Sequence, residues 1–204
     1  MIGVVSYGLG NIQAFVDIYR HLNMPVTVAT SAEELAKADK IILPGVGAFD
    51  WAMERLNASG MRDLLDALVK VEKRPVLGVC VGMQIMARRS EEGRLPGLDW
   101  IPGDVRQLNA ATASRGNLLP HMGWNQVAPS SAETLFRDIG DSWFYFLHSY
   151  YLSPDHPEHV LGATEYNGSR FAAAIGFGNV FGTQFHPEKS HGAGLALLKN
   201  FGEL

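Results

Sequence analysis

The chain has one cysteine, Cys80, among its 204 residues. That excludes an internal disulfide framework and any metal site built from cysteine alone. Long hydrophobic runs are also missing. The longest candidate, Val76 to Ala87, is interrupted by Gly78, Gly82 and Gln84, and it falls short of the roughly 18 apolar residues that cross a bilayer. No basic stretch precedes the apolar start Met1–Val5, the first cation being Arg20, so this segment does not read as a signal peptide. Charge is sparse: Asp, Glu, Lys and Arg make up 19% of the chain, where about 25% is usual. A net charge of −4 and a pI of about 6.0 argue against binding to a phosphate backbone. The expectation is a soluble, cytoplasmic protein with neither nucleic acid nor membrane as partner.

A chain of 22.3 kDa with 47% hydrophobic residues can bury a full core. It exposes roughly 9,400 Å² when folded, against about 32,000 Å² when extended. No internal repeat appears, and no linker rich in Gly, Ser or Pro divides the sequence. One domain over residues 1–204 is expected. The first half alternates strand and helix signals. Ile2–Ser6 is a strand ending in the Gly-rich turn at Gly8–Gly10, followed by helical spacing through Ile12, Phe15, Ile18, Tyr19 and Leu22. Val26–Val28 is a second strand. Ser31 and Glu34 form a capping box, and Lys40–Leu43 is a third strand closed by Pro44-Gly45-Val46-Gly47. Helices are predicted near Phe49–Leu56 and Met61–Val71, then the fully apolar strand Val76–Val79. Near-continuous apolar strands separated by helices give an α/β fold, an open and largely parallel sheet with helices on both faces. From Leu98 onward, short β-rich runs predict an antiparallel extension of that sheet or a small flanking one. Gln107–Asn117 reads as an exposed polar loop and Gly194–Phe201 as a closing helix.

Cys80 stands in Gly78-Val79-Cys80-Val81-Gly82, where the fourth strand meets a helix beginning near Gly82. This is the spacing of a strand-to-helix nucleophile elbow, in which glycines relieve crowding at the sharp turn. The start of the helix would favour thiolate over thiol. A buried core cysteine is the alternative. A thiolate nucleophile needs a base, and the base needs an orienting group. Gln184-Phe185-His186-Pro187-Glu188 follows an apolar strand, and in an extended chain residues two apart share a face. Glu188 would thus orient His186 against Cys80, the logic of a Cys–His–Glu triad. Pro44-Gly45-Val46-Gly47 can supply backbone N–H groups for an oxyanion. The aromatic-rich segments Pro120–Asn125 and Tyr145–Tyr151 ordinarily read as core strands. Gly8-Leu9-Gly10 fails the dinucleotide fingerprint, since position 13 is Gln.

The elbow Gly78–Gln84, taken with Gln184–Glu188, resembles the triad-type (class I) glutamine amidotransferases. Leu43–Phe49, Pro120-His121-Met122-Gly123-Trp124-Asn125 and Gly182–Ser190 narrow the resemblance to one branch, the glutaminase subunits of imidazole glycerol phosphate synthase in histidine biosynthesis. The matching blocks run in order from Tyr7 to Ser190. Ser6 and Val81 depart from the branch's commonest residues, Asp and Leu, without removing a catalytic group. The resemblance implies a flavodoxin-like fold and hydrolysis of glutamine through a thioester on Cys80, with His186 and Glu188 completing the triad. It places Gly45, Val46 and Val81 in the oxyanion segment, and Gln84, Glu92, His148, Ser149 and Tyr150 around the glutamine. Asn11, Met122 and Trp124 would face a (β/α)8-barrel cyclase subunit, forming a heterodimer in which ammonia is passed on without loss to water. It implies no metal and no cofactor. A glutaminase subunit serving purine, chorismate or pyridoxal phosphate synthesis is the alternative, and a non-catalytic scaffold a further one.

Overall fold

The structure, a computed structural model, describes residues 1–108 and 119–204. All but the first two residues of the predicted loop Gln107–Asn117 lie outside the described residues. The first half follows the predicted alternation: strands β1 (Ile2–Val5), β2 (Val26–Ala29), β3 (Lys40–Gly45) and β4 (Val76–Cys80), with helices α1 (Ile12–His21), α2 (Ala32–Leu35), α3 (Phe49–Ala58) and α4 (Arg62–Asp66) between them. Ser31 caps α2 as predicted, its Oγ accepting from the Glu34 N–H at 3.3 Å, but the reciprocal half of the box shifts by one residue, since Glu34 reaches past Ser31 to the Thr30 N–H at 2.8 Å. The predicted helix Met61–Val71 is not uniform. It starts at Arg62 and loosens into a π turn over Ala67–Val71.

The elbow helix is α5 (Val81–Gln84), a single turn. The second half supplies β5 (Gly103–Gln107), β6 (His121–Pro129), β7 (Ser142–His148), β8 (Tyr150–Pro154), β9 (Val160–Tyr166), β10 (Ser169–Phe177) and β11 (Val180–Thr183), and the chain closes with α6 (His191–Gly202). The closing helix thus begins three residues before the predicted Gly194. Among the described residues the main sheet runs β2-β1-β3-β4-β11-β10-β9-β6-β7. Its first five strands are parallel, with β11 returning beside β4, and the other four join antiparallel. Both expectations for the second half hold together, because β5 and β8 also pair as a small antiparallel sheet.

Two features of this topology place the site. β4 is central, between β3 and β11, so Cys80 emerges at the carboxyl end of a strand buried on both faces, where open α/β sheets bind ligands. The run Trp143–Tyr151 crosses from one sheet to the other: β7 lies at the edge of the large sheet, β8 in the small one, and Ser149 is the step between them. That step faces the elbow.

Candidate active site

Cys80 sits at φ 56° and ψ −114°, left-handed backbone that a side chain tolerates only when the surrounding structure enforces it. The enforcement is steric. A Cβ on Gly82 would stand 1.9 Å from the Leu43 carbonyl oxygen, and one on Gly45 would stand 2.4 Å from the Gly82 nitrogen. Only glycine at both positions lets the elbow press against the end of β3, where Gly45 is in register with Cys80. The expected charge from a following helix is reduced, since a one-turn helix aligns few peptide dipoles. Side chains take over. Gln184 Nε2 points at the Cys80 sulfur at 3.8 Å, and Cys80 is among the groups that raise the neighbouring His186 imidazole.

His186 and Glu188 are in contact, Nδ1 to Oε1 at 2.8 Å, with side chains only 4% and 3% exposed. The reason differs from the predicted one. His186 is extended, but Pro187–Lys189 is a 3-10 turn, so the contact closes around the turn instead of along one face of a strand. Ser190 fastens this turn, its Oγ donating to the His186 carbonyl at 2.6 Å and accepting from the Tyr145 N–H at 3.0 Å. Because Glu188 accepts from Nδ1, Nε2 is the ring nitrogen turned towards the thiol. Burial alone would push His186 down; its hydrogen bonds to Cys80 and Glu188, with their charges, outweigh burial and raise it to about 9. The imidazole is therefore held charged at neutral pH.

A cavity of about 290 Å³ opens on Cys80 and His186. Val46, Val81, Gln84, Glu92, His148, Ser149 and Tyr150 all line it, so the structure brings together residues that the sequence spreads over more than a hundred positions. Gln84 Nε2 donates to the Tyr150 carbonyl at 2.8 Å. Glu92 accepts the Phe49 N–H at the start of α3 at 2.9 Å, and its carboxyl is raised mainly by burial and further by the Asp50 charge. Gly45 lies just behind Val46, and Tyr7 OH donates to the Pro44 carbonyl beside it at 2.7 Å. A larger hollow of about 470 Å³ near Arg170 and Asp155 contains neither Cys80 nor His186.

At the rim, Met122 and Trp124 are 65% and 43% exposed, and they pair across strands with Leu147 and Tyr145. Trp124 stacks on His191 with centroids 5.1 Å apart. Asn11 caps α1, accepting from the Ala14 N–H, beside Gly10, which packs against Pro44. Sequence reasoning did not single out Gln184 for a role. The signal was available: it precedes His186 by two positions, just past the end of β11. It also left His121 as a core residue, for which no local pattern signals more. No helix among the described residues is long and apolar enough to cross a membrane.

The family model for class-I glutamine amidotransferases matches residues 4–203. The chain is 54% identical to imidazole glycerol phosphate synthase subunit HisH of Bdellovibrio bacteriovorus and 45% identical to that of Leptospira interrogans, each over 100% of both chains. Among solved structures, a glutamine amidotransferase matches at TM-score 0.74 and 17% identity, covering 98% of both chains. PurLQS from Thermotoga maritima matches at TM-score 0.72 and 16% identity, covering 98% of this chain and 96% of the matched one; at such identities the likeness concerns the fold. End-to-end identity with the HisH subunits, on an elbow-and-triad geometry in the class I fold, establishes that this chain belongs to the class I glutamine amidotransferases and, within them, to the HisH subunit family.

Proposed function

We propose that the chain, one amidotransferase domain over residues 1–204, is the glutaminase subunit of imidazole glycerol phosphate synthase. It hydrolyses glutamine to glutamate and delivers ammonia to a cyclase subunit. The observation that carries this reading is the enforced elbow of Cys80 beside a buried His186–Glu188 pair. The Cys80 thiolate attacks the side-chain amide carbonyl of glutamine, forming the carbon–sulfur bond and moving negative charge to oxygen. The Val81 N–H, first in its one-turn helix, lacks an intrahelical acceptor and is the donor we assign to that oxygen, together with backbone from Gly45 and Val46. His186 gives its Nε2 proton to the departing nitrogen, and ammonia leaves as the carbon–nitrogen bond breaks. The thioester remains. Neutral His186 then takes a proton from water, hydroxide adds to the thioester carbon, and the Cys80 thiolate departs.

Gln84, Glu92, His148, Ser149 and Tyr150 are assigned to holding the glutamine, being the cavity wall around the nucleophile. The exposed apolar rim of Met122 and Trp124, with Asn11 beyond it, is assigned to docking the (β/α)8-barrel cyclase as a heterodimer. Ammonia released at Cys80 becomes ammonium in bulk water and is then no nucleophile, so a docked acceptor is what the chemistry requires. Cys80→Ala tests the reading. In the complex with the cyclase it should abolish glutamine-dependent product formation and leave the reaction with added ammonia intact. Loss of both activities together would make Cys80 structural.

A further inference from the structure

Behind the cavity wall runs a hydrogen-bond chain that the triad does not use. His148 Nδ1 is 2.8 Å from the Tyr150 carbonyl, and a carbonyl only accepts, so Nδ1 carries the hydrogen and Nε2 is an acceptor. His121 Nδ1 lies 3.0 Å from that Nε2 and must be the donor. His121 Nε2 is then an acceptor, facing Asn125 Nδ2 at 3.3 Å. The far end agrees independently. Asn125 Oδ1 accepts from the Gln126 N–H at 2.8 Å and its Nδ2 donates to the Glu165 carbonyl at 2.8 Å, which orients the amide with its donor towards His121. Both anchors dictate one direction: Asn125 to His121 to His148 to the Tyr150 carbonyl. A proton added to either ring would set two hydrogens against each other. The surroundings agree, since burial lowers His121 to about 4 and His148 to about 3.

The chain continues to the nucleophile. The same Tyr150 carbonyl accepts from Gln84 Nε2 at 2.8 Å, Gln84 Nε2 also donates to Gln184 Oε1 at 3.0 Å, and Gln184 Nε2 faces the Cys80 sulfur. His121 is stacked between Phe146 and Tyr166, at 4.6 and 4.1 Å, so its ring plane is held. Strand alternation divides the block Pro120–Asn125 between two tasks: Met122 and Trp124 are exposed, whereas His121 is buried and Asn125 bonds inward.

We propose that His121 and Asn125 are positioning residues for the amide substrate, holding His148 in its neutral, Nδ1-protonated form and thereby setting the Ser149–Tyr150 wall of the cavity. This rests on the reading that the cavity takes glutamine. The test uses His121→Phe, which keeps the stacking and removes the donor, and Asn125→Asp, whose carboxylate cannot donate to His121. Both are assayed in the cyclase complex with its ribonucleotide ligand. Losing one buried partner should raise KM for glutamine about tenfold with kcat within about threefold. Alkylation of Cys80 by iodoacetamide should stay within about threefold of the unmodified rate, because the nucleophile itself is untouched. In nitrogen-15 imidazole spectra, Asn125→Asp should move His148 from the neutral Nδ1-protonated form to imidazolium, since the Tyr150 carbonyl still holds the Nδ1 hydrogen while His121 Nδ1 becomes an acceptor for a proton on Nε2. An unchanged His148 tautomer with unchanged KM overturns the proposal, as does a loss confined to kcat and alkylation. If His121→Phe does not fold, Asn125→Asp decides the matter alone. A complex of the unmodified chain that does not turn over glutamine refutes the functional reading instead, and the His148 spectrum still tests the chain of bonds.

Discussion

Lowering the pH from 7 to 5 should destabilise this protein by a calculable amount, through the imidazoles of the site. His121 and His148 are lowered by burial to about 4 and about 3, so at pH 5 both are neutral when folded and charged when unfolded. Groups lowered in this way contribute stability above the unfolded value, roughly 6.5, and lose it as pH falls towards the folded one. Integrating the linkage from pH 7 to 5 gives about 2 kcal/mol for each, close to 4 kcal/mol for the pair. His186 has the opposite sign. Raised to about 9, it keeps its proton when folded, so its contribution is complete below pH 6.5 and lost only as pH rises through 9. Between pH 7 and 5 it returns about 1 kcal/mol. Glu92, also raised, offsets in the same direction. The net loss is therefore about 3 kcal/mol, a large share of the roughly 5–15 kcal/mol that holds a domain folded. Asp39, Glu91, Asp104 and Asp155, held by hydrogen bonds and cationic partners, are lowered away from this window. Urea denaturation followed by tryptophan fluorescence at pH 7, 6 and 5 measures the loss. His121→Phe should remove about two-thirds of it, since one of the two rings that lose stability, at about 2 kcal/mol, is gone. Equal stability at pH 7 and 5, or an unchanged loss in the variant, would mean that these two rings do not carry the pH dependence.

Other outcomes follow from the same geometry. Gly82→Ala places a Cβ against the Leu43 carbonyl, a backbone atom that cannot swing away; the cost should exceed about 3 kcal/mol, visible as a fall in Tm or as loss of soluble protein. Glu188→Gln keeps an acceptor for His186 Nδ1 and removes the charge. It should lower kcat roughly tenfold to a hundredfold with little change in KM, and it should shift the alkaline limb of the pH–rate profile to lower pH, because one cause of the raised His186 value is removed. An unmoved alkaline limb would mean that His186 does not act in the charged form. Adding the cyclase with its ribonucleotide ligand should raise glutaminase activity substantially over the isolated chain, which requires that the ligand favour the active state differentially; an unchanged rate would exclude such coupling.

Whatever depends on neighbours along the chain was legible before any fold was known. Apolar runs broken by helical spacing announced the parallel half of the sheet, and the glycines around Cys80 announced an elbow, because a positive-φ nucleophile can be accommodated only where flanking side chains are absent. Motif blocks in order carried the family. Local patterns failed where the outcome rests on contacts far apart in the chain. That α5 is one turn, so that Gln184 and His186 steady the sulfur where a helix was expected to, depends on packing against β3 and β11. The His186–Glu188 pair was rightly foreseen and wrongly explained, since Pro187 opens a turn where an extended chain was expected. Gln84 and Gln184 are 100 residues apart, His121 and His148 27 apart. Which atom donates along such a chain is settled by the acceptor-only carbonyls of Tyr150 and Glu165 at its ends. The first lies two residues from His148, but the second reaches Asn125 from β9, and His121 meets His148 only through the pairing of β6 with β7. The protonation state of the site is thus fixed in three dimensions, because hydrogen-bond direction belongs to the whole network, and no stretch of sequence contains the network.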